Sequence, residues 1–338
     1  MNTIATPASA SEAAASPTAR PMHYLPVSLF GSVMGLTGLS VAWRLAHLYF
    51  GTSMAIAQAI GLIAVIDFVV LVLAYGTKAI FAPQAVRTEF AHPVASNMFG
   101  TFIISVLLLP LVIAPVSLQL ARGLWIFGVV AMLVFAWVIV DRWINEVPQR
   151  HEHAMPAWIV PVVGLLDVPL ALPSLDLPDL HAVMVTGLAV GLFFGAVLFT
   201  LIMARLMFEP PMAPALQPSL LILLAPTGVG LSTYTTTTGQ VDLFAECLYL
   251  VTLFLLAVLV GRLRHVVRAC PFRVGWWAVS FPLSACAIAG LKVAAAYQTA
   301  IADDAAIALL ALATISIVVV AWRTLQGIAR GELRALST

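Results

Sequence analysis

LQPSLLILLAPTGVGLSTYTTTTGQVDLFAECLYLVTLFLLAVLVGRLR, residues 216–264, holds two apolar runs joined by a short turn rich in threonine and glycine. Each run has the roughly 20 residues that an α-helix needs to cross a bilayer. The first carries Pro226 and a set of small and hydroxyl residues. The second carries no proline and ends in Arg262 and Arg264. The pair reads as a membrane hairpin, one helix bent by its proline and one straight.

The rest of the chain repeats this unit. Of its 338 residues, 62% are hydrophobic and only 9% charged, with a mean hydropathy of +1.05. A soluble domain has about 25% charged residues, so the solvent for most of this chain is a bilayer. Ten spans are predicted, at about 25–48, 54–77, 94–115, 119–140, 156–173, 182–204, 217–237, 242–262, 274–298 and 304–323. Residues 1–22 lack the basic start and apolar core of a secretory signal and read as a short disordered cytoplasmic tail. The transmembrane domain then covers 23–325, and 326–338 form a short cytoplasmic C-terminal tail.

Basic residues orient the spans. Thirteen of the sixteen Lys and Arg, namely Arg20, Lys78, Arg87, Arg142, Arg150, Arg205, Arg262, Arg264, Arg268, Arg273, Arg323, Arg330 and Arg334, fall at the termini or after even-numbered spans. Arg44, Arg122 and Lys292 fall on the other side. Because cytoplasmic loops hold the excess, both ends of the chain are expected in the cytoplasm, with the protein multi-pass in an inner or plasma membrane.

Prolines give an internal repeat. Pro26, Pro110, Pro156, Pro161, Pro226 and Pro282 fall in odd-numbered spans, and the even-numbered spans have none. Proline frees a backbone carbonyl, which in a membrane must be buried in protein or face a wet cavity. The alternation predicts five hairpins, each with an interior bent helix and a lipid-facing straight one, around a central channel. Gly31, Gly35 and Gly38 share one face of the first span, a stripe suited to close helix packing or to a channel wall.

Charge inside the spans is scarce. Asp67 lies in the second span, as a structural carboxylate between helices or as a coupling group. Lys292 lies toward the outer end of the ninth, where it can snorkel, pair with Asp303 or Asp304, or attract anions from the lumen. A net charge of +1 leaves no basic excess for nucleic acid. No cysteine, histidine or acidic spacing indicates a metal, no cofactor motif is present, and no nucleophile or nucleotide signature supports an enzyme.

Five stretches carry a family resemblance: PVSLFGSVMGLTGLSVAWRLA (26–46), RTEFAHPV (87–94), MPAWIVPVVGLLDVPLA (155–171), LQPSLLILLAPTGVGLSTY (216–234) and GWWAVSFPLSA (275–285). They resemble the tellurite-resistance/dicarboxylate transporter family, which includes bacterial TehA and the plant slow-type anion channels. The resemblance implies ten helices in five hairpins with quasi-fivefold symmetry, assembled as a homotrimer with one pore per protomer. It also implies that a phenylalanine in a WWAxSFP motif blocks the pore. Here that motif is Trp276-Trp277-Ala278-Val279-Ser280-Phe281-Pro282, which makes Phe281 the gate. Pro282, Phe30, Gly31, Gly35, Pro110, Pro161 and Pro226 are then the expected lining or gate-supporting residues. The function expected is passive, gated conduction of small inorganic or organic anions. The alternative is a secondary transporter or efflux protein for C4-dicarboxylate, sulfite or tellurite, with Asp67 or Asp167 coupling it to protons.

Overall fold

The computed structural model describes residues 22–145, 149–178, 180–270 and 272–337, with the backbone alone for 262–269. Apart from Met22, the segment expected to be a disordered tail lies outside the described residues. Among the described residues, ten helices are long and apolar enough to cross a membrane. They are Val27–Phe50, Met54–Phe81, Ala95–Ile113, Leu118–Asn145, Pro156–Ser174, His181–Phe208, Pro214–Thr238, Leu243–Ala269, Val274–Tyr297 and Ala300–Ala329, the first to tenth spans below.

Odd and even spans differ in burial as the proline pattern predicts. In the most apolar window of each, 61–83% of residues are buried for odd spans against 22–39% for even ones. Leu73, Trp137, Phe193, Phe254 and Ile315 point outward from even spans, a surface that only lipid or another apolar partner can cover. Inside, the first span packs on the third and ninth, the third on the fifth, the fifth on the seventh and the seventh on the ninth, so the five odd spans close a ring. Each even span lies outside this ring, against the odd spans that precede and follow it, except the tenth, which packs on the ninth and the first.

The prolines are accommodated differently from a simple kink. Each odd span opens with a 3-10 segment, at Val27–Phe30, Ala95–Met98, Pro156–Ile159, Pro214–Leu224 and Val274–Val279, and then switches to α-helix. Pro161, Pro226 and Pro282 sit two or three residues into the α-segment that follows. The first turn of a helix has no internal acceptor for its N–H groups, so a residue without one costs little there. In the third span Pro110 starts a new α-segment after Leu109.

The fifth span alternates 3-10 and α segments throughout. A 3-10 residue rises ~2.0 Å and an α residue 1.5 Å, so its 19 residues still reach across a hydrocarbon layer of about 30 Å. Its freed carbonyls are taken up by neighbours: Trp125 Nε1 donates to Val168 O at 2.9 Å, and Thr233 Oγ1 donates to Leu166 O.

Several boundaries move. The tenth span starts at Ala300, not 304, because Thr299 caps it by accepting from Ala302 N and Asp303 sits in its first turn, where the helix dipole favours an acid. It continues to Ala329, and a further helix, Leu333–Ser337, folds back so that Leu336 meets Gly327. A nine-residue helix, Pro83–Ala91, fills the connection between the second and third spans.

Candidate functional site

Four cavities follow one another along the ring. The first opens among Met155, Met212, Leu216, Ser219 and Gly275, on the side where odd spans begin and where the first span starts and the tenth ends. This is called the chain-end side. The next shares Ser28, Met98 and Ala278 with it and continues to Thr101, Asp167, Val229 and Phe281. The third lies beyond Phe281, among Gly38, Val41, Leu108, Leu170, Ser232 and Thr236. It shares Leu45 and Lys292 with a wide outer vestibule bounded by Gly239, Gln240 and Val241.

The two inner cavities have about 50 and 110 Å³ of free space, and since about 10–15 Å³ of such space holds one water molecule, each has room for a few waters or a small ion. Among the described residues, Phe281 and Val229 alone line both. The Phe281 side chain is 8% exposed and belongs to the apolar cluster built mainly by the third to seventh spans, although its backbone is on the ninth. Its ring therefore reaches across the interior of the ring of helices.

The backbone beside Phe281 is anchored to the first span. Ser284 Oγ donates to Gly35 O at 3.1 Å, and Ser280 Oγ, whose shorter bond of 2.7 Å goes to Trp277 O in its own span, reaches Gly31 O at 3.1 Å. Close approach here needs glycine: a Cβ on Gly35 would stand 2.2 Å from Ser280 Oγ, and one on Gly38 2.8 Å from Ser284 Cβ. The glycine stripe thus packs on the ninth span, while Gly31 and Gly38 also edge the inner cavities.

The other expected residues are dispersed. Pro282 lines the chain-end-side inner cavity beside Phe281. Pro110, Pro161 and Pro226 are buried in the wall, and a Cβ on Gly195 of the sixth span would meet Pro226 at 3.0 Å. Phe30 faces away from the cavities, in an aromatic cluster with Phe68, Tyr75 and Phe102. Asp67 accepts a 2.5 Å hydrogen bond from Ser32 Oγ and lines none of the four cavities.

Lys292 pairs with neither Asp303 nor Asp304. Its Nζ donates to Ser232 O and Thr235 Oγ1 at 2.9 Å and to Thr236 Oγ1 at 3.0 Å, and Asp303 instead accepts from Tyr49. The reason is orientation: Lys292 faces into the ring, toward the hydroxyl run of the seventh span, while the tenth span lies outside.

Two residues carry more than their sequence context suggested. Val229 has no chemistry to mark it. Asp167, expected in the path only under the carrier alternative, gives the chain-end-side inner cavity a carboxyl group, so the interior is not free of acidic side chains. No group of three or more metal-binding side chains occurs among the described residues.

Residues 24–325, all ten spans, match the family model described as SLAC1, voltage-dependent anion channel. The chain belongs to the SLAC1 family. Similar relatives include the S-type anion channel SLAH2 of Arabidopsis thaliana, 27% identical over 79% of this chain and 52% of that protein. An uncharacterized transporter of Methanocaldococcus jannaschii is 24% identical over 76% of this chain and 81% of its own. A tellurite resistance protein TehA homolog of Haemophilus influenzae is 26% identical over 78% and 79%. The chain spans about half the length of three plant channels it matches, SLAH2, SLAH3 and SLAC1.

Proposed function

We propose that this protein is a gated anion channel, passing small anions down their electrochemical gradient through the ring of odd spans, with Phe281 as the gate. The observation that carries this reading is that, among the described residues, Phe281 and Val229 are the two that line both inner cavities. An aromatic ring in an apolar constriction excludes water, and an ion stripped of its hydration does not cross. Lys292, at the join of the outer inner cavity and the vestibule, supplies positive potential where an anion would enter. Pro282 follows Phe281 in the gate segment, and Gly31 and Gly35 support it from the first span. Family membership adds to the reading, since several relatives are named as anion channels.

In this reading the chain lies in an inner or plasma membrane with the chain-end side in the cytoplasm, and assembles as a homotrimer with one pore in each protomer. Recording anion current from Phe281→Ala in planar bilayers tests it. A current well above wild type is expected, and one no larger than wild type would sink the gate.

A secondary transporter for C4-dicarboxylate, sulfite or tellurite is the second reading. It is favoured by the buried Asp167 in the inner cavity and by the Haemophilus relative named for tellurite resistance. Accumulation of substrate against its gradient under an imposed pH difference, abolished by Asp67→Asn or Asp167→Asn, would replace the channel by this carrier.

A further inference from the structure

Among the described residues lining the chain-end-side inner cavity, Asp167 is the one carboxylic acid. It is 2% exposed, and its Oδ1 is buried with no hydrogen-bond partner. Among the described residues, none of the spans around it places a counter-charge beside it. The third has no titratable side chain. On the fourth, Arg122 is bound to Leu175 O and Asp176, Arg142 donates to Phe90 O, and Asp141 accepts from Asn145. His181 and Arg205 stand at opposite ends of the sixth, and Tyr234 of the seventh donates to Asp242. On the first, Arg44, His47 and Tyr49 lie in the half away from the cavity-lining Gly31 and Met34. Across Phe281, the Lys292 ammonium is held by Ser232, Thr235 and Thr236.

A carboxylate buried without donor or counter-charge is strongly disfavoured against its neutral acid. The neutral acid has something the carboxylate lacks, an O–H donor. Of the hydroxyls in this cavity, Thr101 Oγ1 has its one proton engaged by the Met98 and Val27 carbonyls, and Ser28 lies at the chain-end mouth it shares with the neighbouring cavity. We propose that Asp167 holds a proton at rest and presents its O–H as the hydrogen-bond donor that a small anion meets on the chain-end side of Phe281. The inference rests on the pore reading above and adds a station to it. Neutral, Asp167 attracts an anion by hydrogen bonding; ionised, it would place a like charge on the route.

The test uses the full-length Phe281→Ala protein in planar bilayers with chloride and nitrate as probes. Current is expected to fall about tenfold as the chain-end-side solution is made alkaline, the scale of one like charge close to the path. Adding Asp167→Asn, which keeps an N–H donor that cannot ionise, should hold the acid-side current at every pH, and Asp167→Leu should lower it at every pH. A pH-independent current in Phe281→Ala, or a pH dependence surviving Asp167→Asn, overturns the proposal. Infrared spectroscopy of the purified wild type gives a readout without conduction. The C=O band of a protonated carboxyl, lost in Asp167→Asn, is expected, and its absence from wild type overturns the proposal even if the pore conducts. That band in a protein whose Phe281→Ala form passes no current would sink the pore and keep the proton.

Discussion

Ser280 Oγ shares its one proton between Trp277 O of its own span at 2.7 Å and the Gly31 carbonyl at 3.1 Å, a contact between the ninth span and the first one residue before Phe281. Ser284 repeats the contact one turn later on Gly35 O. Phe281 and Pro282 lie between these two anchors. The backbone at Phe281 is therefore fixed to a neighbouring span, and rotation of the Phe281 side chain is the motion left to it without sliding the spans apart.

Gly35→Ala should expose how tight that contact is. The new Cβ would lie 2.2 Å from Ser280 Oγ and 2.3 Å from Ser280 Cβ, with the serine backbone carbon at 3.3 Å, so a rotamer change alone does not relieve it. Overpacking of this kind destabilises by about 1–3 kcal/mol. Thermal unfolding in detergent should show the loss, and the double variant Gly35→Ala/Ser280→Gly should recover most of it. Wild-type stability in Gly35→Ala would mean that the first and ninth spans are farther apart than described.

Lys292→Met should weaken anion selectivity without closing the pore. The side chain keeps its length while the positive charge at the outer mouth is lost, leaving Thr235 and Thr236 still bonded to Ser232 O within their own helix. A single charge near a narrow path changes ion entry by about tenfold at intermediate dielectric. Reversal potentials in a salt gradient, measured on the Phe281→Ala background, should shift toward zero, and Lys292→Arg should restore them. An unchanged reversal potential would remove Lys292 from any electrostatic role.

Much of this arrangement was legible in the residues because membrane physics leaves few alternatives. Ten apolar runs can only be helices, and prolines confined to alternate spans mark those buried by the others. Cap chemistry was harder to see: Asp303 looked like a loop residue because it is charged, yet it belongs to the first turn of the tenth span. The partners of Lys292 were also hidden, since a threonine run can equally satisfy its own helix. Glu89 sat in a stretch that carried the family resemblance, but nothing in RTEFAHPV announces that its carboxylate reaches back to the start of the first span. Long-range polar contacts of this sort depend on which helix ends meet, and hydrophobic periodicity does not encode that.

Asp242 gives a prediction in pH. It caps the eighth span, accepting from Phe244 N and Ala245 N at 3.1 Å, and takes a further hydrogen bond from Tyr234. The Tyr234 hydroxyl first, then the backbone donors, hold its carboxyl below the ordinary carboxylate value of 3.8. Its folded-state affinity for protons is lowered, so its contribution is complete above the usual carboxylate range and disappears as pH falls through the lowered value. Asp242→Asn keeps an acceptor for the cap but does not titrate. Unfolding temperatures of wild type and Asp242→Asn should converge as the pH drops below about 4, and a gap that persists unchanged into acid would contradict the assigned role.

The largest stability effect is expected at Glu89. Its Oε2 receives Lys78 Nζ at 2.5 Å and Tyr75 OH at 2.9 Å, and its Oε1 receives Val27 N at 2.8 Å, while Lys78 also donates to Leu25 O at 2.6 Å. The Lys78 side chain is 4% exposed and that of Glu89 13%, so the pair is shielded from water. Removing one partner of a buried pair strands the other and costs about 3–5 kcal/mol. Glu89→Ala should lose stability on that scale, and Lys78→Met/Glu89→Leu, which leaves no stranded charge, should lose much less. Because Val27 and Leu25 lead into Ser28, which lines the chain-end-side cavities, Glu89→Ala should also alter conduction through Phe281→Ala. A fully stable Glu89→Ala protein with unaltered current would show that this network neither holds the first span nor shapes the mouth of the pore.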